Sequence, residues 1–135
     1  GVAPTWSNLA IAIPVAVLDA QRLGSALEVR YADGTERYLT FGGDTEHPEP
    51  GEVTYADPEG RAHARRWTNR QSGLSAVHDD TREVLIVAEA LHDGAARDIA
   101  RLTGELRAAL AEVWQAPLRH AVLDARAPEF EVRRE

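Results

Sequence analysis

The sequence predicts an α+β fold, a mostly antiparallel sheet of about six strands followed by one long amphipathic helix. Three observations carry this. Short apolar or alternating runs, separated by Gly/Pro/Asp turns, fill the first two thirds of the chain. The hydrophobic period then changes from two to 3.6 beyond Gly94. A chain of 135 residues with 44% hydrophobic and 27% charged residues has the composition of one globular domain with a real core.

The elements follow in chain order. Residues 1–8 read as irregular. Leu9 to Leu18 is apolar nearly throughout, the pattern of a buried strand, and Pro14 marks a bulge or a break within it because it cannot donate a ladder hydrogen bond. The run is too short to span a bilayer, and no basic-then-apolar leader opens the chain, so the expected compartment is the cytoplasm. Leu27 to Tyr31 alternates, Asp33-Gly34 supplies turn chemistry and Arg37 to Phe41 follows, which predicts a hairpin. Residues 42–51 form a Gly/Pro loop. Glu52 to Ala56 is the next strand, Asp57-Pro58-Glu59-Gly60 suits a type I turn, and Arg61 to Trp67 returns antiparallel. Residues 68–80 read as loop. Val84 to Ala88, β-branched and apolar, reads as a central strand. From Gly94 to Gln115 the residues Ile99, Leu102, Leu106, Leu110 and Val113 form one helical stripe, with Asp93 as N-cap and Pro117 as terminator. Leu118 to Leu123 is a possible last strand in a polar tail, residues 116–135. One domain over 1–135 with its core in 9–115 is expected.

Composition narrows the chemistry. There is no cysteine, which removes disulfides, thiolate nucleophiles and cysteine-bound zinc. All fifteen basic residues are arginine, so lysine Schiff-base and P-loop chemistry are excluded. The formal net charge of −7 argues against coating DNA or RNA by counterion release, while a local basic site for one phosphate or one RNA end stays open. The histidines have no metal-ligand spacing, Gly42-Gly43 precedes no helix, and Ser72 and Ser75 lack a nucleophile elbow.

Residues 61–72 hold the strongest candidate site, with four arginines, Trp67, Asn69 and Gln71 in one run. Arginine forks bind phosphates and carboxylates bidentately, and an indole offers a stacking face. The plain alternative is a strand with solvated arginines and Trp67 in the core. Neighbours in a strand point to opposite faces, so one of Arg66 and Trp67 is expected to face inward or away from a ligand. Glu46-His47 is an acid–base pair by composition, or surface decoration of a loop.

Residues 51–91 resemble the tRNA-editing (B3/B4) domain of the phenylalanyl-tRNA synthetase beta subunit. The resemblance rests on Tyr55-Ala56-Asp57-Pro58-Glu59-Gly60, Ser75-Ala76-Val77, Asp80-Thr81 and Val84-Leu85-Ile86-Val87. It is closer to the free-standing members, through Arg65-Arg66-Trp67-Thr68-Asn69-Arg70-Gln71-Ser72 and the segments Ile13-Pro14-Val15, Leu27–Ala32 and Pro48–Glu52. The resemblance covers about residues 9–115. It implies a trans-acting aminoacyl-tRNA deacylase that hydrolyses the ester of a mischarged tRNA and needs no cofactor or metal. The partner is the tRNA 3′ end, with neither DNA nor a membrane. Asn69 and Gln71 would orient water or the α-amine. Arg65, Arg66, Trp67, Arg70 and Ser72, with Glu46 and His47, would bind the substrate. The synthetase loop carries a discriminating glutamate where this chain has Gln71 or Gly73, so no amino-acid specificity carries over. Free-standing members also have a further N-terminal portion, which leaves a shortened relative, self-association or a partner chain as expectations. A module that binds an aminoacyl-nucleotide or amino acid without turnover is the rival reading.

Overall fold

A computed structural model describes residues 13–113 and 118–130. Ile13–Glu89 forms one compact unit, and Ala90 onward belongs to a second. The first unit holds every described strand. Val15–Asp19 (β1) and Val84–Ala88 (β8) pair antiparallel as a two-stranded sheet. Glu28–Tyr31 (β2), Arg37–Leu39 (β3), Thr45–Glu46 (β4), Val53–Ala56 (β5), Arg61–Arg65 (β6) and Arg70–Gln71 (β7) make a six-stranded sheet, ordered β2-β5-β6-β3-β4, with β7 also on β6. The predicted α+β class holds, with a single parallel pairing, β3 on β6, among the described strands.

Pro14 stands immediately before β1, where a missing N–H costs the ladder nothing, and its carbonyl accepts from Glu89 N–H. The Leu9–Ala12 part of the expected strand lies outside the described residues. The hairpin expected from Asp33-Gly34 is not formed. β2 pairs with β5, and β5 and β6 lie between β2 and β3. The cause is Glu36, whose buried carboxylate accepts the N–H groups of Asp33 and Gly34 and pairs with Arg30 at 2.6 Å. It ties the corner locally, while Arg37 N–H bonds the Gly60 carbonyl and starts the parallel pairing. The Asp57–Gly60 turn is as expected, closed by Gly60 N–H on the Asp57 carbonyl, with Gly60 at φ +80°.

Two further strands, of two residues each, are too short to carry a readable periodicity. The loops expected at 42–51 and 68–80 contain β4 and β7, and residues 73–75 form a 3-10 turn capped by Ser72. Among the described strands β8 pairs with β1 alone, rather than standing in the middle of a sheet, and it is half-buried along its whole length. Leu118 to Leu123 is exposed and forms no strand.

Ala95–Val113 (α1) is the predicted helix. Leu102 is buried and Ile99, Leu106 and Leu110 are half-buried, whereas Arg97, Arg101, Glu105 and Glu112 are exposed. Gly94, at φ +82°, rather than Asp93, immediately precedes the first helical residue. The expected stop at Pro117 lies outside the described residues. No described helix is long and apolar enough to cross a membrane.

Candidate active site

β6 carries the motif into the sheet. Its register on β5 is Thr54↔Arg65, Tyr55↔Ala64 and Ala56↔Ala62, with an irregularity that leaves His63 as the extra residue. A bulge lets residues on either side of it face the same way. Arg65 therefore reaches the face of Tyr38, which is paired with Ala62 and with Glu46. β7 extends both rows, as Arg65↔Arg70 and Ala64↔Gln71.

The first face is a charge cluster. Arg65 is buried and donates from Nε to Glu52 Oε1 at 2.7 Å and from its terminal nitrogen to Glu46 Oε1 at 2.9 Å. Glu46 Oε1 also pairs with Arg70 at 3.0 Å, and both guanidinium groups lie over the Tyr38 ring, at 5.5 and 5.2 Å. Burial pushes the Glu52 carboxyl up, but the Arg65 hydrogen bonds outweigh it and hold the group below its usual range. Arg66 touches Glu52 at 3.6 Å and is 62% exposed. The motif thus brings Arg65, Arg70 and Glu46 together. His47 does not join them, since its Nδ1 lies 2.9 Å from the Glu36 carbonyl. Ser72 is buried, where its hydroxyl donates to the Leu39 carbonyl and accepts from Leu74 N–H.

β6 stops at Arg65 because the next two residues are left-handed. Arg66 has φ +49° and Trp67 φ +60°, so the alternation expected of them does not apply. Such a conformation costs an L-residue roughly 1–2 kcal/mol. It is held by Arg65 on one side and by Trp67 N–H on the Val53 carbonyl at 3.0 Å. The result is a turn that presents Arg66, Asn69 and Arg70 to solvent, with Trp67 half-buried. Thr68 Oγ1 beneath it is buried and has no hydrogen-bond partner among the described residues. Strained backbone and an orphaned hydroxyl in one motif make it a candidate functional site. Arg66→Gly relieves the strain, so its melting temperature should rise, by the equivalent of about 0.5–1 kcal/mol, in a thermal denaturation scan.

The second face carries a proton-handling group that the sequence does not mark. Tyr55, buried on the row Tyr55–Ala64–Gln71, donates its hydroxyl to Glu89 Oε1. Burial raises the Glu89 carboxyl from 4.5 to about 7. A carboxyl poised there exchanges protons at neutral pH. Its only sequence signal is a lone acid closing the run Val84–Ala88.

A serine, a histidine and an aspartate also line up, with the histidine on β6. His63 Nδ1 is 2.9 Å from Ser75 Oγ, and His63 Nε2 is 2.8 Å from Asp57 Oδ2. Burial pushes Asp57 up, but hydrogen bonds from His63 and Arg61 carry its carboxyl below the usual range, and burial lowers His63. His63 is then neutral, donating to Asp57 and accepting from Ser75. Ser75 and His63 are wholly buried, so this chain of hydrogen bonds fastens the fold rather than meeting a substrate. No group of metal-ligating side chains occurs among the described residues.

Comparison with known families decides the relationship. The family model described as the B3/4 domain matches residues 7–111. The chain belongs to the B3/4 domain family. No curated protein matches it. Within the B3/4 domain, the Arg65–Ser72 motif spans the end of β6, the left-handed turn and all of β7. Membership agrees with a tRNA-related editing or binding module.

Proposed function

We propose that this B3/4 domain is a trans-acting deacylase that hydrolyses the ester between an amino acid and the 3′ end of a mischarged tRNA. The observation that carries the proposal is the Glu89–Tyr55 pair on the same sheet face as Gln71. Ester hydrolysis needs a positioned water, a proton acceptor and donors for the oxyanion. In this reading the Gln71 and Asn69 amides orient the water and the developing oxyanion. The Glu89 carboxylate takes a proton from the water as its oxygen attacks the ester carbon. When the bond to the ribose oxygen breaks, that oxygen takes the proton back from Glu89. Arg66, on the left-handed turn, and Arg70, at the start of β7, hold phosphates of the single-stranded end, and Trp67 offers a stacking surface.

The charge of the site suits a chain end rather than a long duplex. Three guanidinium groups, Arg65, Arg66 and Arg70, face two carboxylates, Glu46 and Glu52, which leaves one formal positive charge. That same neutralisation favours the rival reading, a module that binds an aminoacyl-nucleotide and releases it unchanged.

A deacylation panel of differently mischarged tRNAs separates the two. Wild type should release amino acid from at least one of them faster than the spontaneous rate, and Asn69→Ala should slow that release by about tenfold or more. Saturable binding of the panel with no release on any member would replace the hydrolase with the binding module.

A further inference from the structure

Residues 38–40, at and just beyond the end of β3, are fastened to residues 71–73, at and just beyond the end of the motif. Tyr38 donates its hydroxyl to the Gln71 carbonyl at 2.6 Å. Ser72 donates its hydroxyl to the Leu39 carbonyl at 2.9 Å. Gly73 packs so closely on the next residue that a Cβ there would lie 3.0 Å from the Thr40 carbonyl oxygen and 3.4 Å from Phe41 Cα. The turn that follows is equally constrained. Thr40 N–H bonds the Asp44 carbonyl at 2.8 Å, Gly43 N–H bonds the Thr40 carbonyl at 3.1 Å, and Asp44 N–H bonds Thr40 Oγ1 at 3.0 Å. On this turn Phe41 is 74% exposed.

Turn positions ordinarily go to Gly, Asn, Asp and Ser for conformational reasons that a phenylalanine does not serve. A large ring in water on a backbone with no slack is a prepared contact, because little ordering entropy remains to be lost when something packs on it. The neighbouring chemistry says what that is. Arg70, over the Tyr38 ring and partly exposed, stands on the strand to which this turn is fastened. Tyr38 is itself buried, so the ring open to a ligand is Phe41. An exposed ring together with guanidinium groups is a means by which proteins hold unpaired nucleotides, base on the ring and phosphates on the cations.

We infer that Phe41 is a stacking platform for a nucleobase of single-stranded RNA, held in place by the contacts of residues 38–40 with residues 71–73. The inference rests on the tRNA-end reading above and extends it to a residue outside the motif.

The test is binding of the whole chain to a fluorescent single-stranded RNA ending in CCA, followed by anisotropy, with the same RNA in a duplex as comparison. Phe41→Ala should weaken binding of the single strand by about fivefold to 150-fold, and Phe41→Tyr, which keeps the ring, should hold it within about twofold. Gly73→Ala, which displaces the turn, should weaken it as well. Equal affinity of wild type and Phe41→Ala overturns the inference, as does equal affinity for single strand and duplex, or no RNA binding at all. Binding that depends on Phe41, together with no hydrolysis of any mischarged tRNA, supports the platform and removes the deacylase.

Discussion

Glu89→Gln should lower hydrolysis of a mischarged tRNA by roughly 100-fold to 10,000-fold, the usual contribution of a positioned proton acceptor. The wild-type rate should rise with pH and reach half its plateau near the point where this carboxyl ionises, about 7. The variant should lose that inflection while still binding the RNA end, because Glu89 bonds to Tyr55, in the row that holds Gln71, rather than to the arginine cluster. The same group makes an opposite contribution to stability. Its folded-state value lies above its unfolded one, so the folded chain holds the proton more tightly. That stabilisation is complete below about pH 4.5 and is lost as pH rises through about 7. A tenfold gain in proton affinity is worth roughly 1.4 kcal/mol, and solvent screening of a half-buried carboxyl reduces the total to about 1–2 kcal/mol. Melting curves between pH 5 and 8 should therefore be flatter for Glu89→Gln. An unchanged pH–rate profile in the variant would remove Glu89 from the chemistry.

Asp57→Ala should be the most destabilising single substitution in the unit, by about 3–5 kcal/mol. The Asp57 carboxylate accepts from Glu59 N–H, Arg61 N–H, Arg61 Nε and His63. Without it, His63 Nε2 keeps a buried proton with no acceptor, and the Asp57–Gly60 turn loses its side-chain support. Chemical denaturation of the variant and of Ser75→Ala gives the comparison. The serine change removes one weaker, neutral hydrogen bond and should cost about 1 kcal/mol. The pH dependence of this network has a definite sign. Both Asp57 and His63 have folded-state values below their ordinary ones, so their contribution is present above those ordinary values and fades as pH falls through the lowered ones. Acid should melt this half of the fold, and Asp57→Ala should be less acid-sensitive than wild type. An Asp57→Ala protein as stable as wild type would deny the network its role.

The parts of the fold that could be read in advance were those with long or chemically marked patterns. The stripe from Ile99 to Leu110 marks α1, and the Asp57–Gly60 tetrapeptide marks its turn. Pairing was harder. Asp33-Gly34 has hairpin chemistry, yet the chain's path is set by Glu36, whose burial and ion pair with Arg30 depend on how the sheet packs around it. The site divided in the same way. Arg65–Ser72 stands out by composition, but the left-handed pair at Arg66 and Trp67 has no glycine to announce it. Glu89 is one ordinary glutamate until burial raises its affinity for a proton. Both depend on tertiary environment, which local periodicity does not encode.

The order of strands has a consequence for how the chain acquires its shape. β2 and β3 are separated in space by β5 and β6, which are made later. On a ribosome, the earlier pair must wait with their edges unsatisfied until Arg65 has emerged, and only then can the middle of the sheet be filled. Synthesis interrupted between β3 and β6 would leave sticky, half-built ribbons. Conditions that slow elongation across residues 40–65 should divert nascent chains into inclusion bodies more than the same delay placed within α1.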